Sequence, residues 1–107
     1  MSKDATKGFV DAAIADNKVV VFSKTYCPYC KKAKSALNDV GLKGYKIIEI
    51  ENMDNMDAIQ DYMLQLTKGR SVPRVFIGGK FVGGGDEVAQ LKSQGKLKPM
   101  LQEVGAL

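Results

Sequence analysis

Lys18-Val19-Val20-Val21-Phe22-Ser23-Lys24-Thr25-Tyr26-Cys27-Pro28-Tyr29-Cys30, residues 18–30, is the stretch that decides the fold. It opens as a continuous β-branched and apolar run, the mark of a strand covered on both faces. It closes on Pro28, which suits the first turn of a helix because the N–H it lacks would be unpaired there anyway. From that point Ala33, Ala36, Leu37 and Val40 recur at i, i+3, i+4 and i+7, so a helix follows. Cys27 therefore falls at the junction between a strand and a helix. It and Cys30 are the two cysteines of a 107-residue chain that has no histidine.

On the N-terminal side, Val10, Ala13 and Ile14 predict a helix over residues 4–16. Gly41 is a natural stop for the helix after the cysteines. Tyr45-Lys46-Ile47-Ile48-Glu49-Ile50 predicts a second strand. Asp54 is a candidate cap for a third helix with Ile59, Tyr62, Met63 and Leu66 on one face, ended by Gly69. Arg74-Val75-Phe76-Ile77, Gly78-Gly79 and Lys80-Phe81-Val82 predict a hairpin, its two glycines free to take positive φ. After Gly83-Gly84-Gly85, Asp86 opens a helix with Val88 and Leu91, ended by Gly95. A last helix carries Leu97, Met100, Leu101 and Val104, with Pro99 in its first turn. The order is αβαβαββαα. Two strands joined by a helix should be parallel with a right-handed crossover, and the hairpin adds an antiparallel pair. The expectation is an α/β fold, a small mixed four-stranded sheet flanked by helices on both faces, as one domain spanning residues 1–107.

Composition bounds the function. A hydrophobic fraction of 45% is enough for a core, yet no apolar run is long enough to cross a bilayer. The first residues carry no basic-then-apolar signal pattern, so a soluble chain is expected, although a removed transit segment leaves no trace. Sixteen basic against twelve acidic residues is a mild bias. Nucleic-acid binding asks for clustered basic residues with stacking aromatics, so no nucleic-acid partner is expected. A solvated mixed surface accounts for most lysines, but Lys31, Lys32 and Lys34 flank the cysteines.

Two cysteines three residues apart have three readings. A structural bridge closes a very short loop, and stabilisation by a cross-link grows with loop length. A closed zinc site needs four ligands, usually Cys or His, and the chain supplies two. A redox pair has a mechanism: the thiolate, not the thiol, attacks a disulfide. A helix N-terminus offers unpaired N–H groups and a positive dipole end to Cys27. Lys24, Lys31 and Lys32 add charge that favours the anion. Cys30, one turn on, is placed to resolve what Cys27 attacks. C-x-x-C in a βαβ setting suggests a thioredoxin-like site.

Cys27-Pro28-Tyr29-Cys30 preceded by Lys24, Ser71-Val72-Pro73, and Gly83-Gly84 ahead of an acidic pair together resemble the dithiol glutaredoxins. The resemblance covers nearly the whole chain, with three separated motifs in order. It implies a thioredoxin-like fold and glutathione as reductant and co-substrate, with no permanently bound cofactor. It implies that Val72 offers its backbone to an extended ligand as an added strand would, and that Pro73 is cis. It implies a carboxylate site at Gly84, Gly85 and Asp86 before a helix, with Asp86 also taking an ammonium. Lys24, Gln60 and Arg70 would meet the opposite carboxylate, and Tyr29 would border the site. Each has a bland alternative as a surface charge, a solvated helix residue or a turn. Two positions depart from the pattern: Gly85 where many such proteins have cysteine, and Ser71 where threonine is more usual.

The resemblance implies a catalytic Cys27 and a resolving Cys30, which reduce protein–glutathione mixed disulfides and protein disulfides. Glutaredoxins poise at about −200 to −230 mV, near the cytosolic glutathione pool. Electron transport between glutathione and protein disulfides in the cytoplasm, by a monomer without membrane attachment, is the expectation. The alternative from another class is a homodimer that carries an iron–sulfur cluster ligated by glutathione. Pro28 argues against it, because cluster-binding members usually have glycine there. A binding module with silent thiols is the third reading.

Overall fold

The computed structural model describes residues 2–107. The elements follow the predicted order: α1 (Lys3–Asp16), β1 (Val19–Ser23), α2 (Pro28–Asp39), β2 (Lys46–Glu49), α3 (Met56–Thr67), β3 (Arg74–Ile77), β4 (Lys80–Gly83), α4 (Gly85–Ser93) and α5 (Leu97–Glu103). A single 3-10 turn, Ile50–Asn52, follows β2. Among the described residues the strands form one sheet in the order β2-β1-β3-β4. β1 pairs parallel to β2 and antiparallel to β3, and β3 pairs antiparallel to β4.

β1 is central, and all five of its residues are buried. Its alternation divides the core. Val19 and Val21 pack with Ala33, Ala36 and Leu37 of α2, Val88 of α4, and Leu97 and Leu101 of α5. Val20 and Phe22 pack on the other side with Val10 of α1 and Ile59 and Met63 of α3. The continuous apolar run is therefore a strand covered on both faces. Phe22 meets Phe76 edge-on at a centroid distance of 5.8 Å, a favoured aromatic arrangement. The hairpin turns on Gly78 and Gly79 at φ 60° and 81°, a conformation that glycine reaches without steric cost.

The structure corrects several boundaries. α3 starts at Met56 with Asn55, not Asp54, in the cap position. It ends on Lys68, which takes the left-handed conformation (φ 67°) expected of Gly69. Leu66 is 43% exposed, off the buried face that carries Ile59 and Met63. β2 is two residues shorter than predicted, because Tyr45 lies outside it and Ile50 enters the 3-10 turn. α4 begins at Gly85, one residue before Asp86, with Gly84 as cap. No helix among the described residues is long and apolar enough to cross a membrane.

Candidate active site

β1 delivers the chain to the site at Ser23, which is buried. The next residues turn sharply, and the Cys27 N–H closes the turn by donating to the Lys24 carbonyl at 3.2 Å. Cys27 is the N-cap of α2, extended at φ −91° and ψ 118°, and Pro28 follows in the first turn. The cap is the sulfur itself: Cys27 Sγ accepts the Cys30 N–H at 3.3 Å. A thiolate here meets a helix N-terminus, where N–H groups lack intrahelical partners and the dipole end is positive.

The two thiols differ. Both are free, Cys27 half-buried and Cys30 buried. Cys30 Sγ accepts the Lys24 N–H at 3.4 Å. Burial, followed by the hydrogen bond with Cys27, pushes the Cys30 thiol up from 9.0 to about 11, so it is a neutral thiol near pH 7. The asymmetry expected from the sequence, an accessible Cys27 and a shielded Cys30, is present in the geometry.

Across from Cys27 lies the segment before β3. Cys27 Sγ is 3.8 Å from the Val72 carbonyl, to which the thiol can donate. The Val72–Pro73 peptide is cis. An open groove of about 350 Å³ runs beside it, bordered by Tyr29, Ser71, Val72, Pro73, Arg74, Gly84, Gly85, Asp86 and Glu87. Roomier hollows lie elsewhere, one of about 520 Å³ near Ile14 and Gly79, so chemistry rather than size singles out this groove. Tyr29, Val72, Pro73, Gly84, Gly85 and Asp86, which the resemblance assigns to one ligand site, all border this groove.

The remaining residues are less simply placed. Lys24 joins the pair through its backbone, as donor to Cys30 and acceptor from Cys27. Gln60 and Arg70 meet each other instead of the groove: Gln60 Nε2 donates to the Arg70 carbonyl at 2.9 Å. The Arg70 guanidinium is paired with Asp61 at 3.0 Å. Asp86 is paired too, with Lys32 Nζ at 2.6 Å across the gap between α2 and α4, and this raises the Lys32 pKa. The charge of Lys32, expected to favour the Cys27 anion, is therefore largely offset.

Sequence reasoning missed four features. Glu87 caps α4 by accepting the Gly84 N–H at 2.8 Å, a contact legible from a cap residue followed by glutamate three positions on. Arg74 Nε donates to the Ser71 carbonyl at 2.8 Å, and its Nη2 to the Ser71 hydroxyl at 3.2 Å. Gly85 presses on α2 so closely that an added Cβ would lie 2.4 Å from the Tyr29 carbonyl oxygen. Glu51 Oε2 accepts the Thr25 N–H at 2.9 Å and the Thr25 hydroxyl as well. The Thr25 hydroxyl is also the main cause of the lowered Glu51 pKa.

Comparison with known proteins agrees with this geometry. The glutaredoxin family model matches residues 19–82. A glutaredoxin of Ricinus communis is 47% identical over 94 residues, covering 88% of this chain and 91% of its own. Oxidised glutaredoxin 2 from Chlamydomonas reinhardtii superposes at a TM-score of 0.95 with 55% identity, over all of both chains. A buckwheat glutaredoxin–glutathione complex superposes at 0.92 with 43% identity, over 98% of this chain and 94% of its own. With a half-buried thiol at a helix cap, a shielded thiol one turn behind it and these relatives in common, the chain belongs to the glutaredoxin family of thiol oxidoreductases, its Cys27-x-x-Cys30 fitting the dithiol motif.

Proposed function

We propose that this protein reduces protein–glutathione mixed disulfides, and protein disulfides by a second route, with glutathione as the reductant. The observation that carries this reading is the asymmetry of the thiols: half-buried Cys27 capping α2, and buried Cys30 behind it with its pKa near 11. The buckwheat relative in complex with glutathione supports the choice of co-substrate. In the first route the Cys27 thiolate attacks the glutathione sulfur of the mixed disulfide. The protein substrate leaves as a thiolate and takes a proton, and Cys27 becomes glutathionylated. A glutathione thiolate then attacks that glutathione sulfur, yielding oxidised glutathione and the Cys27 thiolate. In the second route Cys30 gives up its proton and attacks Cys27, forming the Cys27–Cys30 disulfide and releasing the bound partner as a thiol. Two glutathiones reopen that disulfide.

In this reading the Val72 backbone pairs with the extended cysteinyl part of glutathione. The first turn of α4 takes the γ-glutamyl carboxylate, and Asp86 takes its ammonium after releasing Lys32. Tyr29 and Pro73 wall the ligand. Lys24, Gln60 and Arg70 face the glycyl carboxylate, which requires Arg70 to leave Asp61. Closure of the cycle by reduced glutathione suits the cytoplasm.

The test is glutathione-dependent turnover of a glutathionylated peptide by wild type and Cys30→Ser. The expected result is turnover by both, with reduction of an intramolecular protein disulfide lost in Cys30→Ser. A wild type without turnover overturns the proposal. If it then gains visible absorbance on anaerobic reconstitution with iron and sulfide, the cluster-carrier alternative replaces it.

A further inference from the structure

We propose that Glu51 is a positioning residue for the dithiol, acting through Thr25 on the turn that holds both sulfurs. The inference rests on the two-thiol chemistry above and assigns a role to a residue outside the groove.

Residues 24–27 form a tight turn that bonds to both cysteines. Lys24 accepts from the Cys27 N–H and donates its own N–H to Cys30 Sγ. Any movement of Lys24 therefore changes the relation between the two sulfurs. The turn itself follows a buried strand end but is exposed at Thr25 and Tyr26. What fastens it is a side chain 26 residues away. Glu51 Oε2 receives both donors of Thr25, the N–H and the hydroxyl. Its other oxygen, Oε1, is shielded from solvent and takes no hydrogen bond from the described residues. Thr25 is thus the main hydrogen-bond partner of the carboxylate, ahead of the N–H of Glu51 itself.

The base of this clamp is firm. Glu51 sits on the 3-10 turn directly after β2, flanked by fully buried Ile50. Two residues back, Glu49 Oε2 holds Lys34 Nζ at 3.0 Å, with both side chains about four-fifths buried. Lys34 lies one turn beyond Cys30 on α2. The two glutamates of Glu49-Ile50-Glu51 therefore grip the cysteine segment at two points, ahead of Cys27 at Thr25 and behind Cys30 at Lys34. Intramolecular attack depends steeply on alignment, and a misplacement of 1 Å can cost about 100-fold. The step that most needs this clamp is the attack of Cys30 on a disulfide at Cys27.

The test isolates that step. Protein glutathionylated at Cys27 is made for wild type, Glu51→Ala, Glu51→Gln, Thr25→Val and Thr25→Ser. Release of glutathione as Cys30 displaces it is followed by mass spectrometry, beside the alkylation rate of Cys27 in the reduced proteins. Glu51→Ala and Thr25→Val are expected to slow closure about tenfold while Cys27 alkylation, which needs one sulfur, stays within about threefold. Glu51→Gln and Thr25→Ser keep an acceptor and a hydroxyl donor, and both are expected to close within about threefold of wild type. Closure at the wild-type rate in both Glu51→Ala and Thr25→Val overturns the proposal. So does a Thr25→Ser no faster than Thr25→Val, or a Glu51→Gln that closes as slowly as Glu51→Ala. Thr25→Val alters an exposed residue and carries the test if Glu51→Ala does not fold. A wild type that releases no glutathione overturns the two-thiol chemistry itself, and this inference with it.

Discussion

At Cys30 one sulfur is buried, accepts the Lys24 N–H, is hydrogen-bonded to the Cys27 side chain, and is protonated well past neutral pH. Alkylation at pH 7 should therefore modify Cys27 alone, with Cys30 reacting as pH approaches about 11. Equal modification of both at pH 7 would refute this. The same shift has a consequence for stability. The folded state holds the Cys30 proton more tightly than the unfolded state does, so this contribution is complete below 9.0. It is lost as pH rises from 9.0 through about 11, seen as a urea midpoint that falls more steeply in wild type than in Cys30→Ser, which keeps only the losses from Tyr45, Tyr62 and Lys32. At the far side of the groove, Asp86 carries the one carboxylate assigned to a ligand ammonium. Asp86→Asn should raise KM for a glutathionylated peptide by about tenfold with kcat little changed, the worth of one charge-assisted hydrogen bond. An unchanged KM would remove Asp86 from the ligand site. Of these residues the cysteines were legible because three positions of sequence carry their whole relation. The Lys32–Asp86 and Glu51–Thr25 pairs were not, because they span 54 and 26 positions that only the fold brings together.

Between elements, the contact of α2 with α4 shapes the groove. Gly85, the first residue of α4, stands against the Tyr29 carbonyl with no room for a methyl group. The obstacle is backbone, so an added Cβ must separate the helices. Gly85→Ala should destabilise the fold by about 1–3 kcal/mol in urea unfolding and should weaken binding at the glutathione site proposed between the two helices. An unaltered midpoint would mean that α4 shifts without cost. The elements themselves were largely legible. β1 was plain from its unbroken apolar run, and the hairpin from paired glycines whose φ values are positive as expected. Helix ends were less so. Lys68 adopts a left-handed cap that glycine would reach more easily, and Asn55 supplants Asp54. Local preference is about 1 kcal/mol at such positions, and tertiary packing overrides it.

For the whole molecule, α5 packs in the same core layer as α2, the helix that carries Cys30. One layer of core sits under α5, far along the chain from the cysteines, and Leu101 is fully buried in it. Leu101→Ala should cost about 2–5 kcal/mol of stability, while the rate of Cys27 alkylation in the folded protein stays near wild type. A parallel loss of both would show that α5 supports the site directly. The open end of the sheet instead collects the site from four places: the end of β1, the start of α2, the cis Val72–Pro73 segment before β3, and the start of α4. The attack of Cys27 on the glutathione sulfur of a mixed disulfide is the step on which the proposed function rests. The most direct measurement is mass spectrometry of Cys30→Ser protein mixed with a glutathionylated peptide and no free glutathione. The predicted result is glutathione on Cys27 and peptide released with a free thiol. Peptide attached to Cys27, or no adduct at all, would contradict it.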